Sequence, residues 1–243
     1  NATIFPHNIG LGATRDSALV RRIGQAVAEE MWAAHIDLNF SPAISVPRDE
    51  RWGRTYEGFG EIPELVASLG AAYVRGLQGD NFDAEWRIPA TVKHFLGDGA
   101  TDKGYDRGNA TISEEELNAI HLPPYIAAIE QGVQSVMASF NQVNGVHQHV
   151  DSLRLTVLLK KELGFDGYVI ADWEGIENSK RPGEAGNYSG SHTGVSSTEA
   201  VRNAINAGID MAMVPQSAST FISSMKSLVS SGQISQERLK DAV

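Results

Sequence analysis

The 243-residue sequence contains no cysteine and no long apolar run, and it has fewer basic than acidic side chains. The absence of cysteine excludes a disulfide framework and thiolate chemistry, and it leaves the cellular compartment open. No window approaches the roughly eighteen apolar residues that a spanning helix needs, so we expect no membrane partner. Twenty basic residues against thirty acidic ones give a formal net charge of -10. This charge would repel a polyanion, which argues against a nucleic-acid partner.

The pattern of apolar residues predicts an α/β fold. The composition, 42% hydrophobic and 21% charged, is that of a globular protein, and the length suits one large domain. Short apolar runs predict strands at 36–44, 90–95, 134–141, 167–172 and 210–214. Apolar spacings and capping residues predict helices at 14–34, 64–77, 113–130, 151–164, 198–207, 217–231 and 235–243. The segment 179–197 is predicted to be a long surface loop.

The sequence also predicts a helix interruption, the apolar side of one helix and the absence of a hairpin. Pro123-Pro124 should interrupt the helix that Ser113 begins. The helix after Asp151 should carry its apolar residues on one side, and these are Leu153, Val157, Leu158 and Leu163. No two consecutive strands are expected to form a hairpin.

The alternation of strands and helices indicates parallel strands joined by right-handed crossovers. Two architectures fit, a doubly wound open sheet and a (β/α)8 barrel of the TIM type. The dinucleotide-binding version of the open sheet requires a Gly-x-Gly-x-x-Gly turn, which the sequence lacks. The barrel is favoured because polar residues end several different strands, as a shared mouth requires. Five strands are too few for eight, so the predicted barrel is incomplete in this chain.

Polar side chains at the predicted strand ends could form one site. The apolar run 167–171 ends at Asp172 and Trp173, the strand at 90–95 contains Lys93 and His94, and Arg54 lies in the loop after the strand at 36–44. The carboxyl ends of parallel strands meet at one edge, where ligands bind. Charged groups and an aromatic face together suit a neutral polyol, since the charges bind hydroxyls while the indole stacks on the ring.

Five motifs around these residues resemble glycoside hydrolase family 3, in its β-glucosidase and exo-1,3/1,4-β-glucanase branch. They occur in the order of the family over nearly the whole chain: RWGRTYE at 51–57, KHFLGDG at 93–99, MASFNQVNG at 137–145, ADWEG at 171–175 and AGIDM at 207–211. Five motifs in order are a specific signal, which any one of them alone is not.

The resemblance implies a retaining hydrolase that releases glucose from the non-reducing ends of β-glucosides or β-glucans, without a cofactor. Asp172 would be the nucleophile. The terminal glucose would be held by Arg54, Lys93 and His94. Trp173 would form a wall of the neighbouring subsite.

Two further positions belong to the implied substrate pocket. Met213 would line its floor. Phe140 stands where the family motif has a tyrosine, so a hydroxyl group that would meet the nucleophile is missing. The orientation or charge of Asp172 is therefore expected to differ from the family pattern.

The resemblance also implies parts of the protein outside this sequence. The first strand of the barrel would precede Asn1, and the acid that protonates the leaving group would belong to a second α/β domain after Val243. Such proteins are secreted or periplasmic, although no signal sequence is present in this chain. Within the chain, the acids close to the predicted site are Glu174, Glu57, Asp98 and Asp102.

Two other functions fit the residues less well. A β-N-acetylhexosaminidase of the same family would carry a His-Asp pair after Lys-His, but residues 97–109 contain no histidine. A barrel that binds glycans without turnover is the alternative of a different class, and an assay on activated aryl glucosides separates the two. His147 and His149 have the spacing of metal ligands, but no cysteine or acid cluster accompanies them, so we expect no metal.

Overall fold

The computed structural model describes residues 2–80, 82, 85–177, 179 and 197–243. Residues 180–196, most of the predicted loop at 179–197, lie outside the described part. The α-helices are α1 Asn8–Thr14, α2 Ser17–Ala33, α3 Pro63–Gln78, α4 Glu114–Glu116, α5 Pro123–Glu130, α6 Thr198–Ala207, α7 Ala218–Ser230 and α8 Gln236–Asp241. The strands are β1 Thr91–Phe95, β2 Asn109–Ala110, β3 Ser135–Ala138, β4 Gln142–Val143, β5 Val146–His147 and β6 Tyr168–Ile170.

The main sheet is parallel and its strands lie side by side in chain order. It contains three strands in the order β1-β3-β6. Single parallel bridges, Ala43 with Lys93 and Ile170 with Met211, continue the order on both sides. The predicted strands at 36–44 and 210–214 are thus reduced to one bridge each, while the predicted parallel α/β arrangement is confirmed.

A second, small sheet contains a hairpin that the sequence did not predict. β4 pairs antiparallel with β5, and β2 pairs parallel with β4. The turn is Asn144-Gly145, with φ angles of 50° and 83°. Asn-Gly is the favoured pair for such a tight turn, because both residues tolerate positive φ. The prediction of no hairpin was wrong because two-residue strands are too short to give an alternating pattern.

The chain after Asp151 also differs from its prediction. The Asp151 Oδ1 atom accepts from the main-chain N–H groups of Leu153 and Arg154, so the predicted cap is confirmed. The segment Leu153–Glu162 is a π-helix. Leu155 and Leu159 are fully buried, whereas Leu153 is 69% exposed. The prediction was wrong for Leu153, because i→i+5 hydrogen bonds change the number of residues per turn, whereas Leu158 and Leu163 are partly buried and pack against the core.

The other helix boundaries follow local signals. The Ser113 Oγ atom accepts from the Glu116 N–H group at 3.1 Å. The chain continues as a π-helical turn at Leu117–His121 and restarts as α5 at Pro123, so the predicted interruption is confirmed. In the part of the chain that the structure describes, no helix has the length and apolarity needed to cross a membrane.

Helices α2 and α3 pack closely where glycines face each other. A Cβ atom on Gly76 would lie 2.3 Å from the main-chain oxygen of Arg21 and 2.9 Å from the Gly24 Cα atom. A Cβ atom on Gly24 would lie 2.7 Å from the main-chain oxygen of Tyr73. Main-chain atoms of a packed helix cannot move aside at low cost, so this crossing requires glycine on both helices.

We expect Gly76→Ala to lower the free energy of unfolding by about 1–3 kcal/mol, because the added methyl group overpacks the helix crossing. Denaturant unfolding checks this. The matched control is Gly10→Ala in α1, where the nearest atom to the new Cβ, the Pro6 Cβ atom, is at 3.4 Å. That variant should be as stable as the parent or slightly more stable, because alanine favours a helix. Equal losses in both variants would contradict the account of the crossing.

Candidate active site

A cavity of about 460 Å³ opens at the carboxyl ends of the parallel strands. Every site residue that the sequence predicted lines it. The lining residues are Phe40, Arg54, Glu57, Lys93, His94, Asp106, Arg107, Met137, Phe140, Asp172, Trp173 and Met213. The cavity is large enough for a ligand the size of a sugar.

The parallel sheet explains why these residues meet. Lys93 and His94 belong to β1, and Phe140 follows β3 by two residues. Asp172 likewise follows β6 by two residues, and Met213 follows the bridge at Met211 by two. The β1–β3 pairing shifts register between Val92 and Phe95, but the strands remain parallel, so residues at or just past their carboxyl ends emerge at the same edge of the sheet.

Asp172 is held from its main-chain side and presents its carboxylate to the cavity. Its Oδ1 atom accepts from the Trp173 N–H group at 2.7 Å, and its own N–H group donates to the His149 Nε2 atom at 3.0 Å. The Oδ2 atom lies 3.6 Å from the His94 Nε2 atom. The side chain of Asp172 is 14% exposed. Trp173, at 54% exposed, stands at the rim.

A chain of hydrogen bonds fixes His94 beside Asp172. The Nδ1 atom of His94 is 3.0 Å from the Asp98 Oδ2 atom, and its Nε2 atom is 3.0 Å from the Arg54 Nη2 atom. Because a guanidinium N–H group can only donate, Nε2 is the acceptor and the proton of the neutral ring is on Nδ1. Arg54 also binds Glu57 through two bonds, at 2.8 and 2.9 Å.

The hydrogen bonds to His94 and Arg54 keep the carboxylates of Asp98 and Glu57 ionised. Burial of Asp98 would raise its pKa, but hydrogen bonds from His94 and Ser45 and the charge of Arg54 bring the pKa below its ordinary value. Burial of Glu57 would also raise its pKa, and the bonds from Arg54 outweigh this and lower it. Both carboxylates therefore remain charged at neutral pH.

Lys93 is a half-buried cation of the cavity. Burial is the largest effect on it and lowers the pKa of its ammonium group, while Glu57 and Asp172 oppose the change and Arg54 adds to it. A partly desolvated ammonium group binds a hydroxyl oxygen more strongly than one in water does, because the local dielectric is low.

The four acids named from the sequence do not share one location. Glu57 lines the cavity with Asp172. Asp98 is buried behind His94, and Asp102 accepts hydrogen bonds from Thr111. Glu174 is 2% exposed and its N–H group donates to the main-chain oxygen of Met213, so it lies beside the cavity and not in its lining.

Four lining residues were missed by the sequence reasoning as site residues. They are Phe40, Asp106, Arg107 and Met137. Phe40 lies in the predicted strand at 36–44, and Met137 lies in the predicted strand at 134–141. Both could have been found by considering every residue near the carboxyl end of a predicted strand. Asp106 and Arg107 come from a glycine-rich loop without periodicity. The Arg107 Cζ atom lies 4.1 Å from the centre of the Phe140 ring, a cation–π contact that no local pattern indicates.

The pair His147 and His149 is buried and does not line the cavity. The ring centroids are 5.4 Å apart. The Nε2 atom of His149 accepts the Asp172 N–H group, so that nitrogen is already used. Among the described residues, no three metal-binding side chains come together as a cluster.

The known proteins that this sequence resembles are glycoside hydrolases. The sequence matches the glycosyl hydrolase family 3 N-terminal domain over residues 1–243. It is 36% identical over 244 residues to a lysosomal beta glucosidase of Dictyostelium discoideum, covering 98% of this chain and 29% of the relative. It is 31% identical over 240 residues to a periplasmic beta-glucosidase of Salmonella typhimurium, covering 99% and 30%. The chain thus spans less than a third of the length of these relatives.

Two solved structures share the fold of this chain. An exo-1,3/1,4-beta-glucanase from a Pseudoalteromonas species is 45% identical with a TM-score of 0.89, covering 99% of this chain and 29% of that one. A beta-glucosidase from Listeria innocua in complex with glucose is 33% identical with a TM-score of 0.87, covering 99% and 32%.

We expect Asp98→Asn to lower the free energy of unfolding at neutral pH by about 1–3 kcal/mol, because hydrogen bonds to a buried charge are weakened. The folded pKa of Asp98 lies below the unfolded value of 3.8. The ionised carboxylate therefore stabilises the fold above pH 3.8, and this contribution is lost as the pH falls through the lower, folded pKa. Denaturant unfolding at several pH values should show the difference from the parent shrinking below pH 3.8.

The control for this measurement is Asp37→Asn, which changes an exposed acid outside the cavity lining. It should leave stability almost unchanged at every pH. A pH-independent loss in Asp98→Asn would mean that its effect comes from packing and not from the charge.

Proposed function

Because the chain belongs to glycoside hydrolase family 3, we propose that it forms the nucleophile-bearing part of a retaining hydrolase that releases glucose from the non-reducing ends of β-glucosides or β-glucans. The observation that carries the proposal is the convergence of Asp172, Lys93, His94 and Arg54 on one cavity with Trp173 at its rim. Attack at an anomeric carbon requires a carboxylate, and the polar side chains around Asp172 can bind the hydroxyls of the sugar.

In the proposed mechanism Asp172 attacks the anomeric carbon while an acid protonates the departing oxygen. The covalent glucosyl ester is then hydrolysed by water, which restores the original configuration. Lys93, His94 and Arg54 bind the hydroxyls of the terminal glucose, and Trp173 contacts the next residue of the substrate.

Phe140 and Met213 complete the proposed glucose subsite with apolar surface. Phe140 cannot donate a hydrogen bond to Asp172, and the Trp173 N–H group already binds the Asp172 Oδ1 atom. The orientation of Asp172 in this chain therefore depends on main-chain contacts. No cofactor takes part in the proposed reaction.

We also propose that the acid acts from a second domain of the longer protein. In the described part of the chain, the other cavity carboxylates are Glu57 and Asp106, and each lies against an arginine, Arg54 or Arg107. A general acid needs a raised pKa, whereas the pKa of Glu57 is lowered. The greater length of the relatives is consistent with a further domain.

The parallel strand order supports the proposal that these strands are part of a (β/α)8 barrel. One relative is a lysosomal and another a periplasmic enzyme, which favours a protein that acts outside the cytosol. A β-N-acetylhexosaminidase remains the less favoured activity, since residues 97–109 contain no histidine. A glycan-binding role without turnover is the alternative of another class, and assays with aryl glucosides test it.

We expect Asp172→Ala in the full-length protein to lower kcat by several orders of magnitude, because no covalent ester can form. Azide should partly restore turnover by entering the space of the lost carboxylate, and it should give a glucosyl azide of inverted configuration. Rates are measured with an activated aryl β-glucoside, and the product is identified by NMR. Near-normal turnover without azide would place the nucleophile elsewhere.

We expect Lys93→Met and His94→Ala each to lower kcat/KM by a factor that corresponds to about 2–4 kcal/mol, because contacts between desolvated side chains and the sugar hydroxyls are lost. Steady-state kinetics on the same glucoside measures this. The control is Lys226→Met, an exposed lysine of α7, which should keep parental values. Parental kcat/KM for Lys93→Met and His94→Ala would make both residues structural.

A further inference from the structure

His149 contacts Asp172 but does not line the cavity. Its side chain is fully buried, and its Nε2 atom accepts the Asp172 N–H group at 3.0 Å. The next N–H group along the chain, that of Trp173, binds the Asp172 Oδ1 atom at 2.7 Å. One bond therefore fixes the main chain at Asp172, and the next fixes the carboxylate itself.

The His149 ring is confined on several sides. A Cβ atom on Gly175 would lie 2.1 Å from the Nε2 atom, so only glycine leaves room for the ring there. The Phe140 ring lies 5.8 Å away between centroids, and the His147 ring lies 5.4 Å away. The position of Nε2 is thus set by packing and not only by its one hydrogen bond.

The contact also determines the state of the ring. A main-chain N–H group can only donate, so Nε2 must be unprotonated and the proton lies on Nδ1. Burial, with the neighbouring His147 and His94, holds the pKa of His149 well below its usual range, against an opposing interaction with the main-chain carbonyl of Ser139. The ring is therefore neutral and able to accept at neutral pH.

We propose that His149 is a positioning residue for the nucleophile: its Nε2 atom anchors the Asp172 main chain so that the carboxylate points into the cavity. The inference rests on the proposed role of Asp172. The anchoring by His149 matters more in this chain than in one with a tyrosine at position 140, because Phe140 cannot donate a hydrogen bond to the Asp172 carboxylate. A displacement of about 1 Å at a reacting group can reduce a rate about 100-fold.

Two amide substitutions separate the acceptor from the volume of the ring. In His149→Gln the side-chain oxygen can reach the place of Nε2, whereas in His149→Asn it reaches only the place of Nδ1. We expect His149→Asn to lower kcat/KM of the full-length protein on an aryl β-glucoside about 100-fold, and His149→Gln to recover most of it. The dissociation constant for glucose should stay near the parental value in both, since Lys93 and His94 are untouched.

His147 offers a matched control, because it is also buried and lies two residues away. His147→Gln and His147→Asn should have the same kcat/KM as each other. Rates in all variants are expressed per glucose-binding site, so that unfolded protein is not counted. Gly175→Ala should reproduce the loss in His149→Asn by displacing the ring, and it provides the comparison if His149→Asn does not fold.

Equal losses in His149→Gln and His149→Asn would overturn the proposal, as would parental kcat/KM in His149→Asn or in a folded Gly175→Ala. Asp172→Ala measured in parallel distinguishes this failure from a failure of the proposed function. If Asp172→Ala is inactive and His149→Asn is normal, only the positioning role is wrong. If Asp172→Ala is active, the proposed nucleophile itself is wrong.

Discussion

The parallel hydrogen bonding between neighbouring strands is the constraint on which the rest of the structure depends. The register Val92–Val136–Val169 aligns β1, β3 and β6, and the single bridges at Ala43 and Met211 extend that alignment. Aligned strands end at one edge, so residues far apart in sequence reach one cavity. The close crossing of α2 and α3 at Gly24 and Gly76 packs the covering helices tightly.

Hydrogen bonding divides the acids in and next to the cavity into two kinds. Asp98 and Glu57 are tied to His94 and Arg54 by hydrogen bonds and serve to hold those groups. Asp172 is held mainly through its main chain and through the Trp173 N–H group, which leaves the Oδ2 atom directed towards His94 at 3.6 Å. An acid that is anchored by its backbone and faces a cavity is suited to react, whereas acids that hydrogen-bond neighbouring side chains are suited to support it.

The sequence predicted the parts of the fold that depend on local signals. Apolar runs gave the three central strands, and capping residues gave helix starts such as Ser113. It failed where tertiary structure overrides periodicity: the two-residue strands of the hairpin, and the π-helical turn that buries Leu155 and Leu159 in place of Leu153. The site residues at strand ends were brought together as expected. The contact of Arg107 with Phe140 and the contact of His149 with Asp172 were not foreseen. Both depend on how loops fold back onto the site, which no spacing in the sequence indicates.

Trapping of the covalent intermediate tests the central claim most directly. A 2-deoxy-2-fluoro-β-glucoside with a good leaving group slows both chemical steps, because fluorine destabilises the oxocarbenium-like transition state, but its leaving group lets the first step outrun the second. Mass spectrometry of the digested full-length protein should then find one fluoroglucosyl group on the peptide that contains Asp172. A label on any other carboxylate, or steady turnover of ordinary glucosides with no label at all, would contradict the account.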